Sequence, residues 1–496
     1  MPSGTNLKEA YTMRRRCYHS SMKGVIAMSS SPDANVGIQR DLTVEPNIDN
    51  ARGYVRSEGD RQLEEPNLFG MAELLTPGSP TQDDPVRTSM AVKQSKHIIP
   101  VQSASPVLMS NGAEKVLPYH LSSDFVVAAK DDGKVVERDE KNGILIVEYK
   151  NRTGKEKTQV INLNNKVVKN GAGGFYLTNR MVCDLKKGTY FKKNSILAYN
   201  DKFFSQSEAE GTRFNIGVLA KVACMASYIS FEDGDFITDK LSKKMGAEIC
   251  MEASAIVGAN ANVDYIVKIG QEVAVNDPLI IYDNSSEDAS FNKMLANIGK
   301  ELKEEITGMG KVPVKAKYAG VIEDIQMYST VETKDMSPSL RKIVEGYYSK
   351  IRERDRVIKK HTIDGGTSTF AFTEKAEVID GGEDGKIMGV KVGNGVLIKF
   401  FIKYTDYMDV GDKLVHFTAM KYVNAEMVPK GQEPFSIERP EEEISSIFAP
   451  AGVLARMTPS IMRTMYGNKV IIELKRKWLE MYQKDNPNFK PKDELY

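Results

Sequence analysis

Several things are scarce in this chain of 496 residues. Cysteine occurs four times, as Cys17, Cys183, Cys224 and Cys250, with no two at metal-ligand spacing. None stands beside a histidine in a finger-like pattern. That excludes a zinc finger and a disulfide framework, and it fits reduced thiols in an intracellular setting. The five histidines are scattered and propose no metal site. No run of about 18 apolar residues exists, so no membrane span is expected. The N-terminus is polar and basic with no apolar segment, so no secretory signal is expected. Tryptophan occurs once, as Trp478. Charge of one sign is lacking too: 68 Lys and Arg face 67 Asp and Glu, a net +1. A nucleic-acid surface would therefore be local, not global.

What is present is ordinary for a globular protein, with 41% hydrophobic and 27% charged residues. The length suggests roughly three domains. Residues 1–45 hold a basic cluster at 14–16 and the turn-rich loop SSSPDANVGIQRDL, with too few apolar positions for a core. Residues 46–82 read as loop with one short helix. DDPVRTSMAVKQSKHIIP follows, and its spacing lets Lys93 and Lys96 share one helix face. DFVVAA, GKVVER and GILIVEY read as strands joined by Asp-Gly and Asn-Gly turns. FKKNSILAYND, VAVNDPLIIYD and YMDVGDKLVHF read as one recurring element: strand, polar turn, strand. Residues 286–308 read as a helix, YAGVIEDIQMYSTVE as a strand pair, and 339–360 as an amphipathic helix with Leu340, Ile343, Val344, Tyr347 and Ile351 on one side. GKIMGVKVGNGVLIKFFIKY reads as an Asn-Gly hairpin, and the chain from Ile461 as helical.

The stretch from Gly411 to Met457 organises the rest. Lys413 and Lys421 stand eight residues apart on either side of an apolar run, and Arg456 follows in a Gly- and Pro-marked turn. Cations on strand ends and tight turns suit a phosphate chain held close. Read alone, the same stretch also suits three solvated surface cations. The acidic turn EDGD, with Glu232, Asp233 and Asp235 between aromatics, reads alone as a solvated hairpin loop or as metal ligands.

Five motifs line up in one order. SPDANVGIQRDL, DDPVRTSMAVKQSKHIIP, SFEDGDFI, GDKLVHFTAMK and APAGVLARM all fall within residues 19–457. In this order the chain resembles the C-terminal half of the β subunit of multisubunit, bacterial-type DNA-dependent RNA polymerases. They resemble, in turn, the family's fork region, its Asp-Asp-x-x-Arg-x-x-Met segment, its Phe-Glu-Asp motif, its lysine pair, and its Pro-x-Gly-Val-x-x-Arg-Met motif. The chain starts in the middle of the family subunit and stops 39 residues after Met457, where the family continues. FTAMKYVN replaces the family's Gly- and His-rich surroundings of the second lysine. A split β-like subunit of this kind resembles those of giant tailed bacteriophages.

The resemblance implies a β-rich α+β, multidomain fold: a fork-like segment at 1–45, a hybrid-binding β-rich region at 46–180, and a double-psi β-barrel from 181–245 and 396–457. A wall- or flap-like region is inserted at 246–395, and a helical tail occupies 458–496. Nucleotidyl transfer needs two Mg²⁺ ions and cations on the triphosphate. The resemblance places Lys413 and Lys421 at the RNA 3′ end and reacting phosphate, as the catalytic pair. Arg87 and Arg456 would clamp the triphosphate, where a guanidinium fork suits better than an ammonium. Asp33, Asn35, Gln94, Lys96 and His97 would line the nucleic-acid path. Glu232 and Asp233 would touch the nucleotide-borne Mg²⁺ transiently.

The main Mg²⁺ would belong to a β′-like partner; FEDGDF only superficially resembles that subunit's Asp-Phe-Asp-Gly-Asp motif, since Glu232 replaces an aspartate and the motif order is β-like. The implied partners are β′-like chains, an N-terminal β-like chain, template DNA, nascent RNA and nucleoside triphosphates, with no membrane. The implied setting is the cytoplasm of an infected bacterium or the virion, and the chain would be inactive alone. Two rival readings stay open: a non-catalytic assembly subunit, and a stand-alone phosphotransferase using Glu232, Asp233 and Asp235.

Overall fold

The computed structural model describes residues 18–29, 40–50, 52–149, 157–169, 174–207, 209–228, 230, 232–283, 311–362, 367–368, 374–380, 386–417, 419–487 and 489. Asp33, Asn35, the basic cluster at 14–16 and the helix expected at 286–308 lie outside the described residues. Strand outweighs helix, 33% to 26%, and the strands form several sheets. The fold is β-rich, as expected. Among the described residues, no helix is long and apolar enough to cross a membrane.

The chain forms two compact units. One comprises Met1–His120, Lys202–Ala247 and Tyr407–Tyr496; the other comprises Leu121–Asp201 and Glu248–Asp406. The first is built around a five-stranded half-barrel sheet. Its strands are β1 (Val222–Cys224), β2 (Gly234–Thr238), β3 (Lys413–His416), β4 (Met420–Val428) and β5 (Ser446–Phe448). They lie in the order β1-β5-β2-β4-β3. β1 runs parallel to β5, and β2 parallel to β4; β2 with β5 and β3 with β4 are antiparallel. Ile237, Leu414, Met420, Tyr422 and Phe448 fill its core. Four helices matter below: α1 (Pro85–Ser95), α2 (Pro338–His361), α3 (Pro450–Arg456) and α4 (Pro459–Asp485). Of these, α2 belongs to the second unit.

The second unit carries a six-stranded, a five-stranded and a three-stranded sheet. In the largest, Gly320–Ser329 pairs antiparallel with Gly395–Asp406 along almost its full length. Ile322, Val396, Ile398 and Phe400 are sealed inside, together with Leu340, Val344, Tyr348 and Ile351 of α2. Ile343 and Tyr347 pack at the edge of the same core, so the apolar face read from the sequence is the buried one.

Three local expectations need correction. Among the described residues, 46–82 hold three one-turn α-helices, at Glu65–Leu68, Met71–Leu74 and Ser79–Gln82, and a 3-10 turn at Glu58–Asp60, not one short helix. Asn67 and Glu73 help to start the first two α-helices, each accepting at its side chain the backbone N–H of the residue before its helix. The segment around Gly320 is one ten-residue strand, not a pair; Gly320 offers no turn because it lies flat against Lys403, whose carbonyl a Cβ would meet at 2.3 Å. Likewise Asn394–Gly395 is not the hairpin turn. The turn falls at Met388 and Gly389, both at positive φ, between Lys386–Ile387 and Val390–Lys391. Gly395 opens the next strand, where a Cβ would sit 2.4 Å from the Val257 carbonyl oxygen.

The recurring element is real in a form sharper than strand, turn, strand. In each copy the third residue of a turn has positive φ: Asn194 (66°), Asn276 (73°) and Gly411 (93°). Gly and Asn hold that conformation at least cost. Each is followed two residues on by a strand, at Ile196, Pro278 and Lys413. Each turn is clasped the same way by one distant residue, Ala129, Ala316 or Asn424. That residue's carbonyl accepts the positive-φ N–H, and its own N–H reaches the next carbonyl, at 2.8–2.9 Å. The flanking strands do not pair with each other, however: Tyr190–Phe191 pairs with Gly133–Asp139, and Ile196–Tyr199 with Val126–Ala128.

Candidate functional site

The third of these corners launches β3. From Lys413 the side chains alternate: Lys413 and Val415 outward, Leu414 and His416 inward. On β4, Lys421 and Val423 point outward while Met420, Tyr422 and Asn424 are buried. The register pairs Lys413 with Val423, and Val415 with Lys421. Lys413 and Lys421 are therefore diagonal neighbours on one exposed face, with backbones roughly 7–8 Å apart. Phe417 and Ala419, both at positive φ, close the hairpin between them. Neither lysine is in an ion pair with Glu232 or Asp233 among the described residues.

β2 brings the acidic turn alongside. The Asp233 carbonyl accepts the Val423 N–H at 2.8 Å, and Val423 faces Lys413 across the next pairing. Glu232 and Asp233 are exposed at the head of β2. Asp233 is ion-paired to Arg456, the last residue of α3. α3 ends because Met457 turns left-handed, φ 51°. Thus the Phe-Glu-Asp and Arg-Met motifs, more than 200 residues apart, meet. Behind them lies Tyr422, fully buried, with a hydroxyl that has no partner among the described residues. Burial pushes its pKa up, and the Arg456 charge only partly opposes this.

Arg87 joins this neighbourhood through backbone stapling. Asp84 caps α1, accepting the Val86 N–H at 2.8 Å, and its own N–H reaches the Met457 carbonyl at 3.2 Å. Asp83 accepts from the Ser460 N–H at 3.0 Å and its hydroxyl at 2.5 Å. The first turn of α1, which carries Arg87, is thereby fixed to the junction after Arg456. Arg87 itself is half-buried, its Nη1 3.1 Å from Met90 Sδ. The other α1 candidates lie at the opposite end. Gln94 is half-buried with Oε1 unpartnered among the described residues. Lys96 lies one residue past the helix and holds both Asp41 oxygens at 2.7 Å, and His97 is exposed. Arg87 and Lys96 are separated by roughly 13 Å of helical rise, so one ligand atom cannot engage both. Lys96 caps α1 with right-handed helical dihedrals, three residues after Lys93, and both are exposed.

One constellation escaped sequence reasoning. Asp235, fully buried on β2, accepts the Ser446 hydroxyl at 2.8 and 3.0 Å and the Ile447 N–H at 3.2 Å. His416 Nε2 lies 2.5 Å from Asp235 Oδ2 and 3.2 Å from Ser446 Oγ. The imidazole stacks on Phe448, centroids 5.0 Å apart, and meets the edge of Tyr422 at 5.3 Å. In a flat sheet β3 and β2, with β4 between them, would be about 10 Å apart. The contact exists because the sheet curls, and it holds the lysine-bearing hairpin against β2. The available signal was partial: in KLVH His416 occupies an inward position by alternation, whereas GDFIT is buried from Asp235 to Thr238 and its parity marks nothing.

Two adjacent exposed carboxylates, one already held by an arginine, do not form a Mg²⁺ cage, which needs about six oxygens. Among the described residues no group of three or more His, Cys, Asp or Glu is placed to hold a metal. Glu232 and Asp233 fit a shared, transient contact to an ion whose other ligands come from elsewhere. In comparison with known proteins, the chain matches no family model and no curated protein.

Proposed function

We propose that this chain is a β-like, C-terminal subunit of a split multisubunit DNA-dependent RNA polymerase, of the kind found in giant tailed bacteriophages. The observation that carries the reading is convergence. Four separate motifs supply Arg87, Glu232 with Asp233, the Lys413–Lys421 pair, and Arg456, and one sheet with its two flanking helices gathers them. The five-stranded half-barrel would then be part of a double-psi barrel, and residues 246–395 its wall- or flap-like insertion. Lys413 and Lys421 offer two ammonium groups on one open face, suited to successive phosphates. Arg456 offers a planar fork beside them. Mg²⁺ supplies charge neutralisation when bound; Glu232 and Asp233 would orient it, and its main carboxylates would come from a β′-like chain. Template DNA, nascent RNA, an N-terminal β-like chain and nucleoside triphosphates complete the partner set, in the infected host's cytoplasm or the virion.

The test is to tag the chain in its natural context and identify what co-purifies by mass spectrometry. Co-purification of β′-like chains and another β-like fragment, in a complex that makes RNA from a DNA template, sustains the reading. A folded chain that comes down alone sinks it. Nucleotide incorporation by the isolated chain would favour a stand-alone phosphotransferase, and a complex without nucleotide transfer would favour an assembly subunit.

A further inference from the structure

Helix α4 runs for 27 residues, about 40 Å. One side is anchored: Ile461 and Thr464 are buried, and Asn468 Oδ1 accepts the Met109 N–H at 3.0 Å. Arg476 binds Glu442, and Arg439 binds Glu473. The other side is an open apolar band. Tyr466, Val470, Leu474, Trp478, Met481 and Tyr482 are 46–68% exposed. Their spacing of four, four, four, three and one keeps them on one helical face. Isolated exposed apolar residues are ordinary, whereas a continuous band marks an association surface. It includes the chain's single tryptophan, and a large aromatic at such a place is the usual anchor of a protein interface.

Charge says what would cover it. α4 has six Lys and Arg against three Asp and Glu, and the two signs are unevenly placed around it. By the 100° helical step, Arg463, Lys477 and Lys484 fall inside the arc of the apolar band, joined at the C-terminal end by Asp485, whereas Glu473 and Glu480 fall just to one side of it, leaving the band net cationic. Glu473 is already engaged by Lys469, Arg476 and Arg439. A second copy of α4 would bring this cationic band against itself and be repelled. An amphipathic helix with carboxylates beside its apolar ridge would be attracted. The exposed stretch from Tyr466 to Tyr482 spans roughly 24 Å, enough for about four turns of such a helix.

We infer that the outer face of α4 is a docking surface for an amphipathic, acid-flanked helix of a different polypeptide. The inference does not rest on the polymerase reading: an acidic helix found on a chain with no role in transcription would sustain this surface and sink that reading.

The experiment places a benzophenone amino acid at Trp478 of the full chain in its natural complex, irradiates, and identifies the joined peptide by mass spectrometry. The expected product joins position 478 to a helical peptide of another chain that has Asp or Glu beside apolar residues at spacings of three and four. Leu474→Ala with the probe in place should cut the yield about tenfold. Lys477→Glu/Lys484→Glu should cut it about fivefold, and reversing the facing acids in the partner should restore it. Unchanged melting temperatures for these surface variants establish that the chain is intact. Crosslinks only to nucleic acid, to a second copy, to this chain itself, or to nothing while the chain stays in its complex would each overturn the proposal. So would a crosslink indifferent to charge reversal.

Discussion

The two units treat charge in their sheets differently. In the largest sheet of the second unit, two carboxylates are matched to cations. Glu323, 5% exposed, holds Arg180 and Lys403 at 2.8 and 2.9 Å, and Glu252 holds Lys399 at 2.9 Å. In the first unit the buried carboxylate Asp235 is met by a histidine and a hydroxyl, and the lysines of the same sheet face outward. Charge inside the second unit's sheet serves its own structure. The first unit's sheet uses a polar core to fix a hairpin and leaves its cations for something else. A sheet that only needed stability would bury apolar residues in place of Asp235 and His416.

The comparison breaks first at the lysines. Under the proposed polymerase function, Lys413→Ala or Lys421→Ala in the assembled complex is expected to lower RNA elongation by roughly a hundredfold or more, with melting temperature and co-purification unchanged. Normal elongation by either variant would remove the site assignment. Next comes the polar core. Asp235→Ala removes the buried acceptor shared by His416, the Ser446 hydroxyl and the Ile447 N–H and should cost about 3–5 kcal/mol, read by denaturant unfolding, with faster amide exchange concentrated in β2 and β3. Loss under about 1 kcal/mol, the value for an exposed pair, would show that the cluster holds nothing.

In the second unit the effect is smaller and pH-dependent. Burial raises the Glu323 pKa, but Lys403 and Arg180 outweigh it, so the group sits below its usual value of 4.5. A lowered pKa gives stability that is complete above the unfolded value and fades as pH falls through the folded one. Glu323→Gln should therefore cost about 1.5–3 kcal/mol at neutral pH and flatten the acid limb of a melting-temperature profile; a parallel acid limb would contradict this. Smallest is Glu232→Ala/Asp233→Ala. An elongation defect of about tenfold is expected, partly restored by added Mg²⁺. A defect insensitive to Mg²⁺ would assign Asp233 to holding Arg456 alone.

Much of this was legible in the sequence, for identifiable reasons. The amphipathic helix α2 and the strands after Phe125 announce themselves by period and by turn residues. The three corners were visible because Asn194, Asn276 and Gly411 are residues that a positive φ selects. Glycine misled where it serves close approach, at Gly395, since proximity to a distant carbonyl leaves no mark nearby in the chain. At the candidate site, Lys413, Lys421 and the acidic turn could be named individually. The pairing of Arg456 with Asp233 and the stapling of Asp83 to Ser460 could not, because only the folded topology makes them neighbours.

The alternation along β4 has one further consequence. Lys421 and Val423 face outward while Tyr422 and Asn424 face in, so neighbouring positions answer to separate demands. Either set can change by substitution without disturbing the other. Adding or losing one residue between 420 and 424 cannot be absorbed this way, since it would exchange the two faces, sending an ammonium into the core and a phenol into water. Over evolutionary time this hairpin should accept replacements in its outer letters and length changes only at its tip, around 417–419.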